Sequence, residues 1–139
     1  QSPHKPEAWF NLGFSYAQLK EYSKAEKAYK NALEADPGYW QVRSALGDLY
    51  YQEGDLENAI KTNREIIKHD PKNITAYTNI GNYYIFNSDT LSAMRFWEEA
   101  VKVYPHKQLL INLSYLHKQY GNDQKSMYYY RLSEATKEK

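Results

Sequence analysis

The sequence predicts an all-α protein, a solenoid of four helical hairpins, and three observations carry that prediction. Residue types recur at a fixed step of 34: Pro3, Pro37, Pro71 and Pro105; Gly13, Gly47 and Gly81; Tyr16, Tyr50 and Tyr84; Ala25, Ala59 and Ala93. Between these marks apolar side chains return every three or four positions, the spacing of one helix face. Turn residues such as Gly54-Asp55 and Gly121-Asn122 split each period into two such stretches. A fixed period of about 20 to 50 residues marks stacked supersecondary units, none of which can bury its apolar face alone.

The first period predicts helices over 7–20 and 23–36. The others follow over 40–53, 57–69, 74–87, 90–103, 108–120 and 124–137, and prolines punctuate the links because they cannot continue a helix. Antiparallel helices approach closely only where side chains are small, and Gly13 with Ala25, Gly47 with Ala59, and Gly81 with Ala93 offer such a contact. Ser114 and Ser126 replace both in the fourth hairpin. With glycine set opposite alanine, Trp9 pairs with Tyr29, Arg43 with Asn63, Tyr77 with Trp97, and Leu110 with Tyr130. The second pair is polar on both sides: either Arg43 and Asn63 hydrogen-bond under the ring of Trp40, or both point into solvent.

The first period carries Trp9, Leu12-Gly13, Tyr16, Ala25, Tyr29, Ala32 and Pro37. Leu46-Gly47, Tyr50, Ala59, Ile66 and Pro71 follow in the second, and Tyr77, Ile80-Gly81, Tyr84, Ala93, Trp97, Ala100 and Pro105 in the third. The fourth, with Leu110, Leu113-Ser114, His117, Ser126, Tyr130 and Ser133, falls into register after one residue is removed at the Pro105 junction. This pattern resembles the tetratricopeptide repeat (TPR) signature, over nearly the whole chain. The resemblance implies a right-handed α-α superhelix of about four repeats, 6–39, 40–73, 74–106 and 107–139, in a single domain. It also implies a protein-binding scaffold or adaptor that holds an extended peptide or a helix of another protein in its concave groove. The alternative is a substrate-recruiting or targeting region of a larger enzyme such as a glycosyltransferase. A third reading is self-association through uncapped ends, since Pro3 stands where a preceding repeat would finish and no amphipathic helix follows Ala135. The start at Gln1 instead of a methionine fits a fragment of a longer protein.

In the family that the chain resembles, the first helix of each repeat lines the concave surface. Transferred position by position, the peptide-binding residues are Phe10, Asn11 and Phe14; Asp48 and Tyr51; Asn79, Asn82 and Phe86; and Asn112 and Tyr115. The other concave positions are Glu7 and Gln18; Gln41, Ser44, Ala45 and Gln52; Thr75, Thr78 and Ile85; and Gln108, Ile111, Lys118 and Gln119. The groove is amide-rich and aromatic: a carboxamide donates to and accepts from a peptide backbone, and clustered rings are costly to leave in water. Asn11, Asn79 and Asn112, each two residues before the glycine or its serine substitute, resemble the asparagine ladder of O-linked N-acetylglucosamine transferase, with a break at Ala45. The family's dicarboxylate clamp needs lysine, arginine and asparagine at set concave positions. Here Phe10, Phe14, Ala45, Thr75 and Asn79 occupy them, and in the next register Asp48 would repel a carboxylate.

Composition narrows the remaining classes. Eighteen basic against 17 acidic residues leave a charge of +1, too little field to attract nucleic acid or anionic lipid. Apolar runs are far short of the roughly 20 residues that cross a bilayer, so no membrane insertion is expected in this segment. Without cysteine there is no disulfide or thiolate metal site, and compartment stays open. His4, His69, His106 and His117 lack metal-site spacing, and no phosphate loop or nucleophile elbow is present, so no metal, cofactor or catalytic residue is expected. Glu7, Glu98 and Glu99 read as solvated helix-surface acids, and Lys20, Lys24, Lys27 and Lys30, interleaved with Glu21 and Glu26, as a solvated face. The run Tyr128-Tyr129-Tyr130 cannot face one side, so at least one ring is expected in solvent.

Overall fold

A computed structural model describes residues 5–137, so Pro3 and His4 lie outside the described residues. The helices are α1 (Pro6–Gln18), α2 (Tyr22–Ala35), α3 (Trp40–Gln52), α4 (Leu56–His69), α5 (Ile74–Phe86), α6 (Thr90–Val103), α7 (Lys107–Gln119) and α8 (Asp123–Ala135). Every end falls within two residues of its predicted place, and no strand occurs among the described residues. The chain divides into two compact units, 1–70 with α1 to α4 and 71–139 with α5 to α8. In each unit consecutive helices pack on one another.

The turn inside each hairpin repeats one backbone device. Lys20, Gly54, Ser88 and Gly121, in register, are all left-handed, with φ of 61°, 81°, 63° and 75°. The next residue's N–H then bonds back to the carbonyl of Tyr16, Tyr50, Tyr84 or His117, satisfying an acceptor that the finished helix leaves open. That same next residue, Glu21, Asp55, Asp89 or Asn122, is the N-cap of the second helix. Asp55, Asp89 and Asn122 accept from the backbone N–H of Asn58, Ser92 and Lys125, whereas Glu21 makes no side-chain cap. The second helices end alike: Asp36, Asp70 and Tyr104 are extended at φ near −140° (−142°, −136° and −140°), the conformation that a following proline enforces.

Packing within the hairpins corrects the predicted pairing in one respect. Gly13 faces the ring of Tyr29: a Cβ placed on it would lie 2.5 Å from Tyr29 Cδ1. Gly81 faces Trp97 still more closely, at 2.1 Å, and Trp97 Nε1 donates to the Tyr77 carbonyl at 2.8 Å. Each glycine therefore makes room for an aromatic ring four residues beyond the small alanine, and Tyr29 and Trp97 are each 1% exposed. Burying a side chain of that size stabilises the fold by roughly 2–3 kcal/mol. In the first unit Val42, Leu46 and Leu49 complete the core, with Trp9, Phe10 and Tyr39 packed against it. In the second, Ile80, Leu109, Leu110 and Leu113 are fully buried.

The hairpins without a ring use other solutions. The expected bond between Arg43 and Asn63 is not made: Arg43 donates to the carbonyl of Pro37, while Asn63 is buried and donates to the Ala59 carbonyl at 3.0 Å. Neither expectation for that pair holds, because the guanidinium has a nearer acceptor at its own helix start and the carboxamide turns back on its own helix. In the fourth hairpin the Ser114 hydroxyl donates to the Ser126 carbonyl at 2.8 Å. The ring in register with Tyr29 and Trp97 is Tyr130, which stands 49% exposed.

Two substitutions test this account. Gly81→Ala forces the Trp97 ring aside and is expected to lower stability by roughly 1–3 kcal/mol in urea unfolding; an unchanged midpoint would show the contact to be slack. Ser88→Gly removes a left-handed non-glycine residue and is expected to raise stability by about 1 kcal/mol.

Candidate functional site

The first helices place the predicted binding residues in two environments. In the first unit Asn11 and Phe14 of α1 are exposed, Phe14 by 55%, and Asp48 of α3 is exposed beside half-buried Tyr51. Phe10 is partly buried. Its ring packs 5.9 Å from that of Tyr29 and edge-on to Tyr39 at 5.5 Å, against the core. Helical spacing alone cannot separate a residue on the rim of the inner face from one that turns under its neighbour.

In the second unit several predicted residues meet. Asn82 of α5 and Asn112 and Tyr115 of α7 line one cleft of about 380 Å³, together with Ile85, Thr90 and Gln119. Trp97 forms part of its wall, so the ring that fills the space over Gly81 also faces the cleft. Asn112 Oδ1 accepts from Gln108 Nε2 at 2.9 Å, and Tyr115 Oη accepts from Gln119 Nε2 at 2.7 Å. Asn82 makes no side-chain hydrogen bond, and the Asn112 amide donors have no partner among the described residues. Two carboxamides with spare capacity thus stand beside an exposed ring, Tyr115 at 61%. Phe86 is also exposed, at 66%, and Asn79 is half-buried on the same helix. Thr90, Trp97 and Tyr120 line this cleft without having been marked by the sequence, because they come from the second helix and the following turn.

A polar cluster in the same unit was not legible. Glu98, expected as a solvated acid, is only 26% exposed in its side chain. Its Oε2 lies 3.0 Å from Nε2 of buried His117 and accepts from the Tyr129 hydroxyl at 3.3 Å. The imidazole stacks on the Tyr129 ring at 5.5 Å with 15° between planes, so one carboxylate and one ring pair tie together α6, α7 and α8. Burial, reinforced by the Glu98 charge, pushes the Tyr129 phenol up to about 12. Tyr128 and Tyr130 on either side are exposed, as the triple tyrosine required.

The register explains the cluster: His117 takes the place of Tyr50, which does equivalent work in the first unit. There the Tyr50 hydroxyl donates to Glu26 Oε2 at 2.9 Å, and Lys30 Nζ approaches the same oxygen at 2.7 Å. The Lys30 hydrogen bond holds the Glu26 carboxyl below its usual range, against the opposing effect of burial, and burial raises the Tyr50 phenol. Glu26 and Lys30 are thus not the wholly solvated pair expected, although Lys24 and Glu21 are an exposed pair at 3.7 Å, as are Lys102 and Glu99 at 3.0 Å. Among the described residues no group of three or more His, Asp or Glu side chains could hold a metal ion. No helix among the described residues is long and apolar enough to cross a membrane.

Comparison with known families agrees with the fold. A tetratricopeptide repeat model matches residues 6–39 and a TPR repeat model residues 47–85. The chain belongs to the tetratricopeptide repeat family. It is 29% identical over 99 residues to Superkiller protein 3 of Schizosaccharomyces pombe, covering 71% of this chain and 7% of that protein. It is 33% identical over 86 residues to Protein CTR9 homolog of Arabidopsis thaliana (62% and 8%), and 31% over 75 residues to BBSome complex member BBS4 of Bos taurus (54% and 14%). The chain therefore spans less than a sixth of each of these relatives. Among solved structures, that of MamA superposes with a TM-score of 0.68 at 16% identity, over 95% of this chain and 78% of its own. A tetratricopeptide repeat protein from Parabacteroides merdae also gives 0.68, at 19% identity, over 91% and 51%. At such identities the likeness establishes the fold.

The alkaline behaviour of Tyr129 is a direct test of the cluster. Its folded value lies above the ordinary value of about 10, so its stabilising contribution is complete below about pH 10 and is lost as pH rises through about 12. In a titration followed by tyrosinate absorbance, the Tyr129→Phe variant is expected to lack the step nearest pH 12, and its stability should fall less between pH 10 and 12. Loss of a step at about pH 10 instead would place the phenol in an ordinary environment.

Proposed function

We propose that this chain is a non-catalytic adaptor whose first helices bind an extended peptide or a helix of another protein. Tetratricopeptide repeat proteins work through protein-protein contact, and relatives of this chain include a BBSome complex member and an N-terminal acetyltransferase A complex auxiliary subunit. The observation that carries the finer reading is the α5–α7 cleft, where Asn82 and Asn112 retain hydrogen-bonding capacity beside the exposed ring of Tyr115. Amides with unused donors bond a peptide main chain whatever its side chains, and a ring at their side supplies apolar contact. Phe14 on α1 and Phe86, at the end of α5, are exposed rings of the same chemistry on first helices.

This reading favours a ligand held by backbone and apolar contacts over one held by charge. Asp48 is the single charged residue of the proposed set, and it opposes an acidic ligand at that point. Affinity capture from source-cell extract, comparing the chain with a folded Phe14→Ala/Asn79→Ala/Tyr115→Ala variant, tests the proposal. Partners held by the native chain are expected to be depleted at least about tenfold by the variant, which removes more than 1.4 kcal/mol. Equal capture would move binding off the first helices.

A further inference from the structure

We propose that a second site lies between α6 and α8, and that it takes an acidic peptide segment carrying a bulky apolar side chain. The cleft has a volume of about 540 Å³ and shares no lining residue with the cleft assigned above. Val101, Pro105, Leu110, Tyr128 and Leu132 give it apolar walls, of which Tyr128 is 58% and Leu132 37% exposed. A bulky apolar side chain entering there removes surface from water on both partners.

Charge decides what flanks that side chain. Arg95 and Lys102 from α6 and Lys125 from α8 face Glu98 and Glu99 around the cleft. Glu98 is already engaged by His117 and Tyr129, and Glu99 by Lys102. Arg95 and Lys125 remain, one on each wall, and neither forms an ion pair or a side-chain hydrogen bond among the described residues. Two cations outside any ion pair among the described residues, Arg95 lying within the field of Asp89, stand across an apolar slot, attract carboxylates on either side of an inserted residue and repel a basic segment.

The first unit supplies an internal contrast. A cleft by the α3–α4 turn sets Glu26, Glu53 and Asp55 against Lys30, and of its lining only Lys30 and Asn58 stand in register with the α6–α8 cleft, at Glu98 and Lys125. Burial and the neighbouring acids Glu26 and Asp55 raise the Glu53 carboxyl, a sign of crowded negative charge. Acids crowd that cleft and disfavour an acidic segment, whereas the α6–α8 cleft carries Asn58's register counterpart as the cation Lys125.

Fluorescence anisotropy with the whole chain tests this, using the labelled probe Asp-Glu-Phe-Leu-Glu-Asp and its uncharged counterpart Asn-Gln-Phe-Leu-Gln-Asn. The acidic probe is expected to bind at least about tenfold more tightly, and to weaken as salt rises from about 50 to about 300 mM. Arg95→Glu/Lys125→Glu should abolish that preference and Arg95→Ala/Lys125→Ala reduce it, both with native helicity, whereas Asn112→Ala/Tyr115→Ala should leave it intact. The proposal is overturned if the acidic probe does not bind, if both probes bind equally, or if the charge variants bind it undiminished. Loss of binding in the Asn112→Ala/Tyr115→Ala variant alone would also overturn it, by placing the probe in the α5–α7 cleft.

Discussion

The seating of an aromatic ring on a glycine backbone sets how closely the two helices of a hairpin lie, and much else follows from that distance. Tyr29 on Gly13 and Trp97 on Gly81 leave no room for even a methyl group, so the ring itself acts as the spacer. Ala25 and Ala93, fully buried one turn earlier, keep the same spacing where no ring intervenes. A larger residue at either level would separate the helices and strip apolar contact from both faces. The indole N–H of Trp97 adds direction to this packing by bonding the Tyr77 carbonyl, which a purely apolar ring could not do.

The same constraint accounts for the irregular fourth hairpin. Serine at position 114 brings a Cβ and a hydroxyl where the first and third hairpins have none. The hydroxyl is satisfied across the hairpin by Ser126, and Ser133 is buried where Ala32 and Ala100 stand in the first and third hairpins. With that level occupied by small polar groups, Tyr130 lies out in solvent. The loss of one ring contact is accompanied by a gain elsewhere: His117, Glu98 and Tyr129 join three helices through hydrogen bonds and ring stacking. Position 117 corresponds to Tyr50, which ties α3 to α2 through Glu26, so a polar link between successive hairpins recurs in each unit with different residues.

What was legible in the sequence followed from periodicity. A 34-residue step locates eight helices because each landmark is confirmed several times, and the predicted ends were off by no more than two residues. Gly54 and Gly121 announced their turns, whereas Lys20 and Ser88 adopt the same left-handed conformation with no glycine to signal it. Only their register with Gly54 could have revealed it. Side-chain partners were less legible where two acceptors compete. Arg43 had Asn63 within plausible reach by helical geometry, yet the Pro37 carbonyl lay closer in the folded chain. Glu98 looked solvated because its partners, 19 and 31 residues away, belong to other helices. Within the proposed binding set, Phe10 is partly buried against Tyr39, in the link to the next hairpin, a contact that helical spacing does not reveal.

Spacing, turn geometry and core occupy a limited set of positions in each hairpin, and the remaining faces can vary without disturbing them. Within the second unit one result is a cleft of amides and rings on the first-helix side, where little charge is present. Another is a cleft between the second helices that combines apolar walls with unpaired cations. In the first unit a cleft by the α3–α4 turn is dominated by acids. These differences are not needed for stacking, since Arg95, Lys125 and Asn58 lie outside the buried core of either unit. The same backbone constraint that makes the hairpins alike therefore leaves their outer chemistry independent, and that independence allows one short helical array to present surfaces for chemically different segments.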